Sequence, residues 1–511
     1  MKNQPEETLF PPPGKTPRED TAAVMKFYKL PKEFPPGVLR EAKRISMQKL
    51  SEKDIRESGR LDLRKKFIFT CDPQFARDYD DALSLEKDRT GNLVLGVHIA
   101  DVSHYVRPDS EIDREAYKRS TSVYLADKVV PMLPEQLCNG VCSLLPDVDR
   151  LAFSVFMTFD AKGEMVKREF AKSVICSQVR FTYEQVMTIL KGGKHPRARL
   201  IHDINALAQL LRAKRFAAGA LDLEIPEAEV ILDAAGEMSG LVTRPYDESH
   251  QMIEECMVAA NEAVAKELWT KGIKILARLH EPPEDEKIQI LREELRGLGV
   301  KAGNLANPHV FSQFLQSIKR NPLYPTLATM VLRSMKRAVY DSHAIGHFGL
   351  AKKYYAHFTS PIRRYPDLTL HRQLAAYIEK GNPKIPPRTL AKWAEHTSAA
   401  EEVATEAERG LLGIKKFRLL EAQLQSRQIL DYDAVVVKCM PFGCFIEIPE
   451  LAVSGLVHVS LLSRSFVRYN ESDRSLSAPG GGSWKIGDRM KVHVANVDFR
   501  QRRVDFTPCS R

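Results

Sequence analysis

The sequence predicts an α+β protein: a large domain of strands and helices, followed by a small separate β-barrel. Three changes of texture carry that expectation. Alternating, β-like segments begin at Phe67, helix-period segments dominate from about residue 249, and short alternating strands return after Asp431. At 511 residues the chain also exceeds what one simple core holds.

Taken in order, residues 1 to about 20 are rich in proline and charge and are expected to be disordered, and 34–60 reads as a helical lead-in. The main domain is expected over 61–380. There "FIFTCD" and "NLVLGVHIADVSHYV" are strand-like and are separated by the turn residues of "DRTGN". Two long helices follow. "SHQMIEECMVAANEAVAKELW" covers 249–269, and "EKIQILREELRGLGV" covers 286–300 with Ile288, Leu291, Leu295 and Leu298 on one face. Residues 381–430 are expected to be a helical segment packed on that domain, with a break near Gly410 or Gly413. Residues 431–511 supply "DAVVVKCMPFGCFIEI" and "KVHVANVDFRQRRVDFTP", two strand-like stretches divided by "APGGGSWKIGD", as in a small barrel.

Composition narrows the function. The chain is 43% hydrophobic and 28% charged, contains no apolar run of membrane-spanning length, and opens on a polar stretch without a signal-peptide core. A cytoplasmic protein without membrane contact is expected. Eight scattered cysteines, with no C-x-x-C pair, argue against a zinc finger or disulfide framework and for reduced thiols. A net charge of +10 permits a polyanionic partner.

Against that basic background, "DPQFARDYDDALSLE" gathers Asp72, Asp78, Asp80 and Asp81 among Phe75, Tyr79, Leu83 and Leu85, which suggests packing. A solvated acidic loop is the plain reading. A calcium loop starting at Asp78 fails, because its sixth and twelfth positions are Leu83 and Arg89 instead of glycine and glutamate. A Mg²⁺ site, with Mn²⁺ as the variant, explains the acids: hard cations take oxygen ligands and supply the missing positive charge. A second stretch decides for it. "GHFGLAKKYYAHFTSPIRRYPDLTLHRQL" brings aromatics, hydroxyls and adjacent Arg363 and Arg364, with a helix expected to open at Pro361. Helix starts and arginines both bind phosphate.

Together with "GVHIADVSHYV", "RSTSVYLADKVVPMLPEQLCNGVCSLLP" and "EECMVAANEAVA", these segments resemble, in order and spacing, the RNB catalytic domain of the ribonuclease II/ribonuclease R family, from about Leu61 to Ile378. For the large domain the resemblance implies a mixed β-sheet, barrel-like core surrounded by helices, and the terminal barrel resembles the S1-type OB fold that the family carries behind that domain. The lead-in "FPPGVLREAKRI" is similar to that of the ribonuclease R branch. The resemblance implies a processive, Mg²⁺-dependent 3′→5′ exoribonuclease that hydrolyses single-stranded RNA to nucleoside 5′-monophosphates in RNA decay and processing. It implies Asp72, Asp78 and Asp81 as metal ligands, Asp80 as catalytic through positioning or proton transfer, Arg363 as the group steadying the scissile phosphate, and Tyr124 as the holder of the 3′-terminal base. Where ribonuclease II places a stacking phenylalanine, this chain has Pro282 and Pro283.

Further RNA contacts are expected from Arg364, His357, Thr359 and Ser360, with His357 and His371 serving as structural or RNA-contacting groups and not as general bases. On the barrel, Phe442, Phe445, His458 and Lys438 are expected to meet RNA, one of the two phenylalanines filling the core, with Arg468 and Lys491 as phosphate contacts. A monomer is expected, compatible with other RNA-decay proteins as partners. With only about 60 residues ahead of the catalytic domain, the family's N-terminal cold-shock domains are expected to be missing. The alternative is a catalytically weak RNA-binding protein of the same fold.

Overall fold

The structure, a computed structural model, describes residues 10–509 apart from 49, 224–227, 235, 244–245, 322, 381–384, 427–428, 472–473 and 480. Its centre is a sheet of β1 (Leu61–Asp62), β2 (Phe69–Asp72), β3 (Asp81–Lys87), β4 (Leu93–Ala100), β7 (Asp149–Phe159), β8 (Met165–Cys176) and β9 (Val179–Thr182). The small hairpin β5 (Val123–Tyr124) and β6 (Val129–Val130) stands apart from it. The order β1-β8-β7-β4-β3-β2-β9 makes five antiparallel strands flanked by β1 and β9, each paired in parallel. Alternation explains the layering. Leu83, Leu95, Val97, Phe153, Val155 and Met157 are buried against the helices Ala198–Ala217 and Glu248–Thr270, whose Ile204, Met252, Cys256 and Ala260 share that core. The opposite face carries Ala82, Ala100, Leu151 and Val174 into a second core with the lead-in helix Pro36–Ser46.

Two helical expectations change. The helix Pro387–Gln425 runs 39 residues without a break at Gly410 or Gly413. These glycines serve close approach: a Cβ at Gly410 would lie 3.0 Å from Pro11, and Arg502 crosses both positions. The phosphate-binding helix start also moves, since the helix opens at Tyr365 (Tyr365–Lys380) after a turn over 361–364.

The N-terminus departs further. Residues 1–9 lie outside the described residues, but Phe10 to Tyr28 is packed in place, contrary to the expected disorder. Asp20, fully buried, pairs with Lys415 at 3.3 Å and Arg418 at 2.7 Å on the long helix. Arg418 also donates to the Gly14 carbonyl, and Val24 and Met25 of the helix Asp20–Phe27 join Leu411 and Ile414 in a small core. These partners lie about 400 positions away, which is why local composition read as disorder.

Two antiparallel pairs, β10 (Ala228–Leu232) with β11 (Met238–Thr243) and β12 (Ala277–Leu279) with β13 (Val339–Asp341), stand outside the central sheet. Beyond the long helix, β14 (Tyr432–Met440), β15 (Gly443–Ile448), β16 (Val453–His458), β20 (Arg489–Asp498) and β21 (Arg503–Pro508) close a barrel. Leu420 of the long helix is buried in its core, with Phe417 packed alongside. A three-stranded sheet, β17 (Arg468–Asn470), β18 (Ser475–Ala478) and β19 (Gly482–Trp484), is inserted before β20. No described helix is long and apolar enough to cross a membrane.

Candidate active site

The acidic residues sit where two adjacent strands end. Asp72 closes β2, Asp81 opens β3, and the connecting loop carries Asp78 and Asp80. Sheet pairing therefore sets the outer two, while the loop is held through its backbone. Arg180 of β9 donates to the carbonyls of Pro73 and Gln74 at 2.7 and 2.8 Å. The Ser143 hydroxyl accepts the Tyr79 N–H at 3.0 Å and donates to the Arg77 carbonyl at 2.7 Å. Tyr79 and Leu83 are buried as expected, but Phe75 is 89% exposed; the loop runs over the surface on these backbone bonds and does not take its ring inward.

From the other side comes the turn before Tyr365. The Ile362 N–H donates to Asp80 Oδ1 at 3.0 Å, and Arg363 Nε lies 4.0 Å from Asp80 Oδ2. Arg363 remains 43% exposed at its side chain, and Nη2 reaches the Ser360 hydroxyl at 3.3 Å, so it keeps donors toward solvent and a ligand. Arg364 turns the other way. It forms a two-pronged pair with Asp367 at 2.9 and 2.7 Å, and Asp367 also accepts the Ser360 N–H. Arg364 is thereby engaged in shaping the turn.

Thr359 and Ser360 are buried beneath that turn. His357 bonds the Tyr340 hydroxyl at 2.9 Å, and burial with the nearby arginines holds it neutral, well below the usual histidine range. His371 donates through Nε2 to the Phe358 carbonyl at 2.8 Å and stacks on that ring at 4.2 Å, also depressed by burial. Both fit structural roles. Asn261, in the middle of the "EECMVAANEAVA" helix, accepts the Phe358 N–H at 2.7 Å and so ties the helix to the segment below the turn.

Tyr124 stands on the hairpin β5–β6, 42% exposed, its hydroxyl 3.4 Å from Asp78 Oδ2. The hairpin is stitched to the arginine turn by the Ser122 N–H to the Arg363 carbonyl at 3.0 Å and the Tyr365 N–H to the Ser120 carbonyl at 2.8 Å. Glu408 of the long helix accepts the Tyr124 N–H at 2.8 Å. Asp127 accepts from the Thr21 hydroxyl of the N-terminal segment at 2.6 Å. Sequence reasoning missed Arg180, Ser143, Asn261 and Glu408, for each acts on backbone far away in the chain.

The electrostatics suit a divalent cation. Asp72 Oδ2 is buried with no hydrogen-bond partner. Burial and the neighbouring Asp81 charge push the Asp72 carboxyl up, and burial raises Asp80 and Asp81 against the opposing pull of Arg363. Four acids thus converge with too little fixed positive charge, which hard cations would supply. No three of these four bring ligand atoms all within 4.8 Å of one another, a wider spread than one ion needs.

On the barrel, the pleat turns Cys444, Ile446 and Ile448 inward and leaves Phe445 partly exposed beside its cross-strand partner Lys438. Phe442 sits on the β14–β15 turn, 45% exposed and 6.1 Å from Phe445 edge to face. Neither ring lies in the barrel core, contrary to the expectation that one would. His458, paired with Gly443, is exposed on the same rim, its Nδ1 2.8 Å from the Ser460 hydroxyl. Arg468 is exposed on β17, and the exposed Lys491 lies 3.3 Å from Asp433.

Comparison with known proteins finds two family matches in the chain. The RNB domain matches residues 60–380 and the S1 RNA binding domain matches 431–507. Ribonuclease R of Thermotoga maritima is 40% identical, over 97% of this chain and 73% of its own length; ribonuclease R of Aquifex aeolicus is 37% identical, over 94% and 69%. Mycoplasma genitalium RNase R, solved in complex with ribose methylated single-stranded RNA, superposes with a TM-score of 0.87. It is 28% identical, over 97% of this chain and 78% of that one.

Proposed function

Since the chain belongs to the RNB family, as a ribonuclease R-type 3′→5′ exoribonuclease acting on single-stranded RNA, we propose that it works processively. In this reading it releases nucleoside 5′-monophosphates with Mg²⁺ at Asp72, Asp78 and Asp81. Divalent metal dependence is that of the family; when bound, such ions activate water and offset charge on the leaving 3′ oxygen. Asp80 orients the reacting groups while the Ile362 N–H fixes its carboxylate. Arg363 offsets charge developing on the phosphoryl oxygens, and Tyr124 stacks on the 3′-terminal base at the edge of the acidic loop. Barrel residues Phe442, Phe445, Lys438 and His458 guide the strand. The reading extends to a cytoplasmic monomer that works in RNA decay.

The observation that carries this proposal is the buried, partnerless Asp72 carboxylate oxygen among three further acids, faced by the half-exposed guanidinium of Arg363. The test uses 5′-labelled RNA and matched DNA incubated with Mg²⁺. A ladder shortening from the 3′ end of RNA alone is expected. Internal cuts, equal loss of DNA or activity surviving chelation would overturn the reading.

A further inference from the structure

Among the described residues, one set of three side chains of metal-ligating type brings its ligand atoms within 4.8 Å of one another, and it lies on the barrel, away from the acidic loop: Asp431, His493 and Cys509. Strand pairing puts them there. Tyr432 of β14 faces Val492 of β20, so Asp431, one residue earlier, falls opposite His493. Val492 in turn faces Pro508 of β21, and the Cys509 N–H donates to the Lys491 carbonyl at 2.8 Å, which continues the ladder past the strand end. The Cys509 thiol donates to Asp431 Oδ1 at 3.0 Å and lies 3.9 Å from His493 Nδ1.

We propose that Asp431, His493 and Cys509 form a zinc site that clasps the first and last strands of the barrel to β20. One sulfur, one imidazole nitrogen and one carboxylate oxygen are the donors that a borderline-soft, tetrahedral ion takes, whereas Mg²⁺ prefers oxygens alone. Zinc bonds of about 2.0–2.3 Å on tetrahedral angles need donors roughly 3.5 Å apart, within reach of the present separations after small rotations. Binding replaces the thiol proton that now bridges to Asp431, so one proton is released. Asp433 and Lys491 flank it as an ion pair, and three protein donors leave a fourth position for water.

The test uses the tag-free full chain stripped with a chelator and titrated with cobalt(II), then zinc(II). A thiolate-to-cobalt charge-transfer band in the near ultraviolet is expected, displaced by one equivalent of zinc. It is lost in Cys509→Ser and His493→Ala but kept in Asp80→Asn, which separates this site from the acidic cluster whatever the fate of the RNA-cleavage reading. Asp431→Asn should weaken zinc by about 10-fold or more, at least what loss of an outer-shell partner costs. In the unaltered chain, zinc should also slow alkylation of Cys509 but not of Cys176, followed by mass spectrometry. Absence of the band in the wild-type protein, its survival in Cys509→Ser, or unchanged alkylation of Cys509 would each overturn the site.

Discussion

Asp80 has one carboxylate oxygen on the Ile362 N–H and the other facing Arg363 at 4.0 Å, so Asp80→Asn keeps the size and removes the charge. RNA cleavage should fall by about 100-fold or more, the scale of losing one charge-stabilising group, while RNA binding measured by filter retention stays near wild type. More than a tenth of the wild-type rate would mean that another residue carries this role. A second residue-scale outcome concerns His98 on β4, buried between the hydroxyls of Ser84 at 2.9 Å and Ser154 at 2.7 Å. A neutral imidazole, one donor and one acceptor, satisfies both; burial lowers its pKa to about 3. The unfolded chain takes up this proton near its ordinary value and the folded chain does not. Stability is therefore retained above about pH 6.5 and falls by about 1.4 kcal/mol per unit on acidification toward the folded value. Urea melts at several pH values should show that slope reduced by one proton in His98→Gln.

At the scale of elements, adjacency decided what was legible. The acidic loop could be read because its four carboxylates lie within ten residues, and the long helices because their apolar period is local. Residue type alone did not separate Arg363 from Arg364; the resemblance assigned them different roles, and the turn before Tyr365 supplies the physical difference by sending one to Asp80 and the other to Asp367. The bracing of the Tyr124 hairpin was equally hidden: Glu408 is 284 positions away and Thr21 belongs to a stretch that composition marks as disordered. Asp20 gives that brace a measurable strength. Replacing it with Ala leaves the fully buried Lys415 and the largely buried Arg418 without their carboxylate, and removing one partner from such a network costs about 3–5 kcal/mol. Chemical denaturation should report a loss of that size, against less than about 0.5 kcal/mol for an exposed control such as Glu57→Ala.

Across the whole molecule, the long helix joins the two β units, burying Leu420 in the barrel core and packing Ala404, Ala407 and Leu411 near the Tyr124 hairpin. Cutting the barrel away would uncover Leu420 and Phe417, so point changes on its rim are the cleaner probe of RNA binding. Phe442→Ala should weaken single-stranded RNA by about 1–3 kcal/mol, and Lys438→Ala should lower the salt slope of log affinity by about 0.7, one phosphate contact, with the cleavage rate at saturation unchanged. Fluorescence anisotropy over a salt series reads both. An unchanged affinity in the two variants would make the rim a scaffold surface.

The strap from Phe10 to Tyr28 also sets a schedule. Asp20 meets Arg418 across 398 positions, and Phe10 lies under Arg502, 4.4 Å from its ring centre to the guanidinium. At about 5–20 residues per second, the ribosome needs on the order of 20–80 s to make the partners that Asp20 requires. A stretch made long before its partners is thus among the last to find its seat. Until then Val24 and Met25 stay open to water, to proteases and to chaperones. Nascent chains stalled before Lys415 should be cut readily near residue 20, and chains released after Arg502 should not.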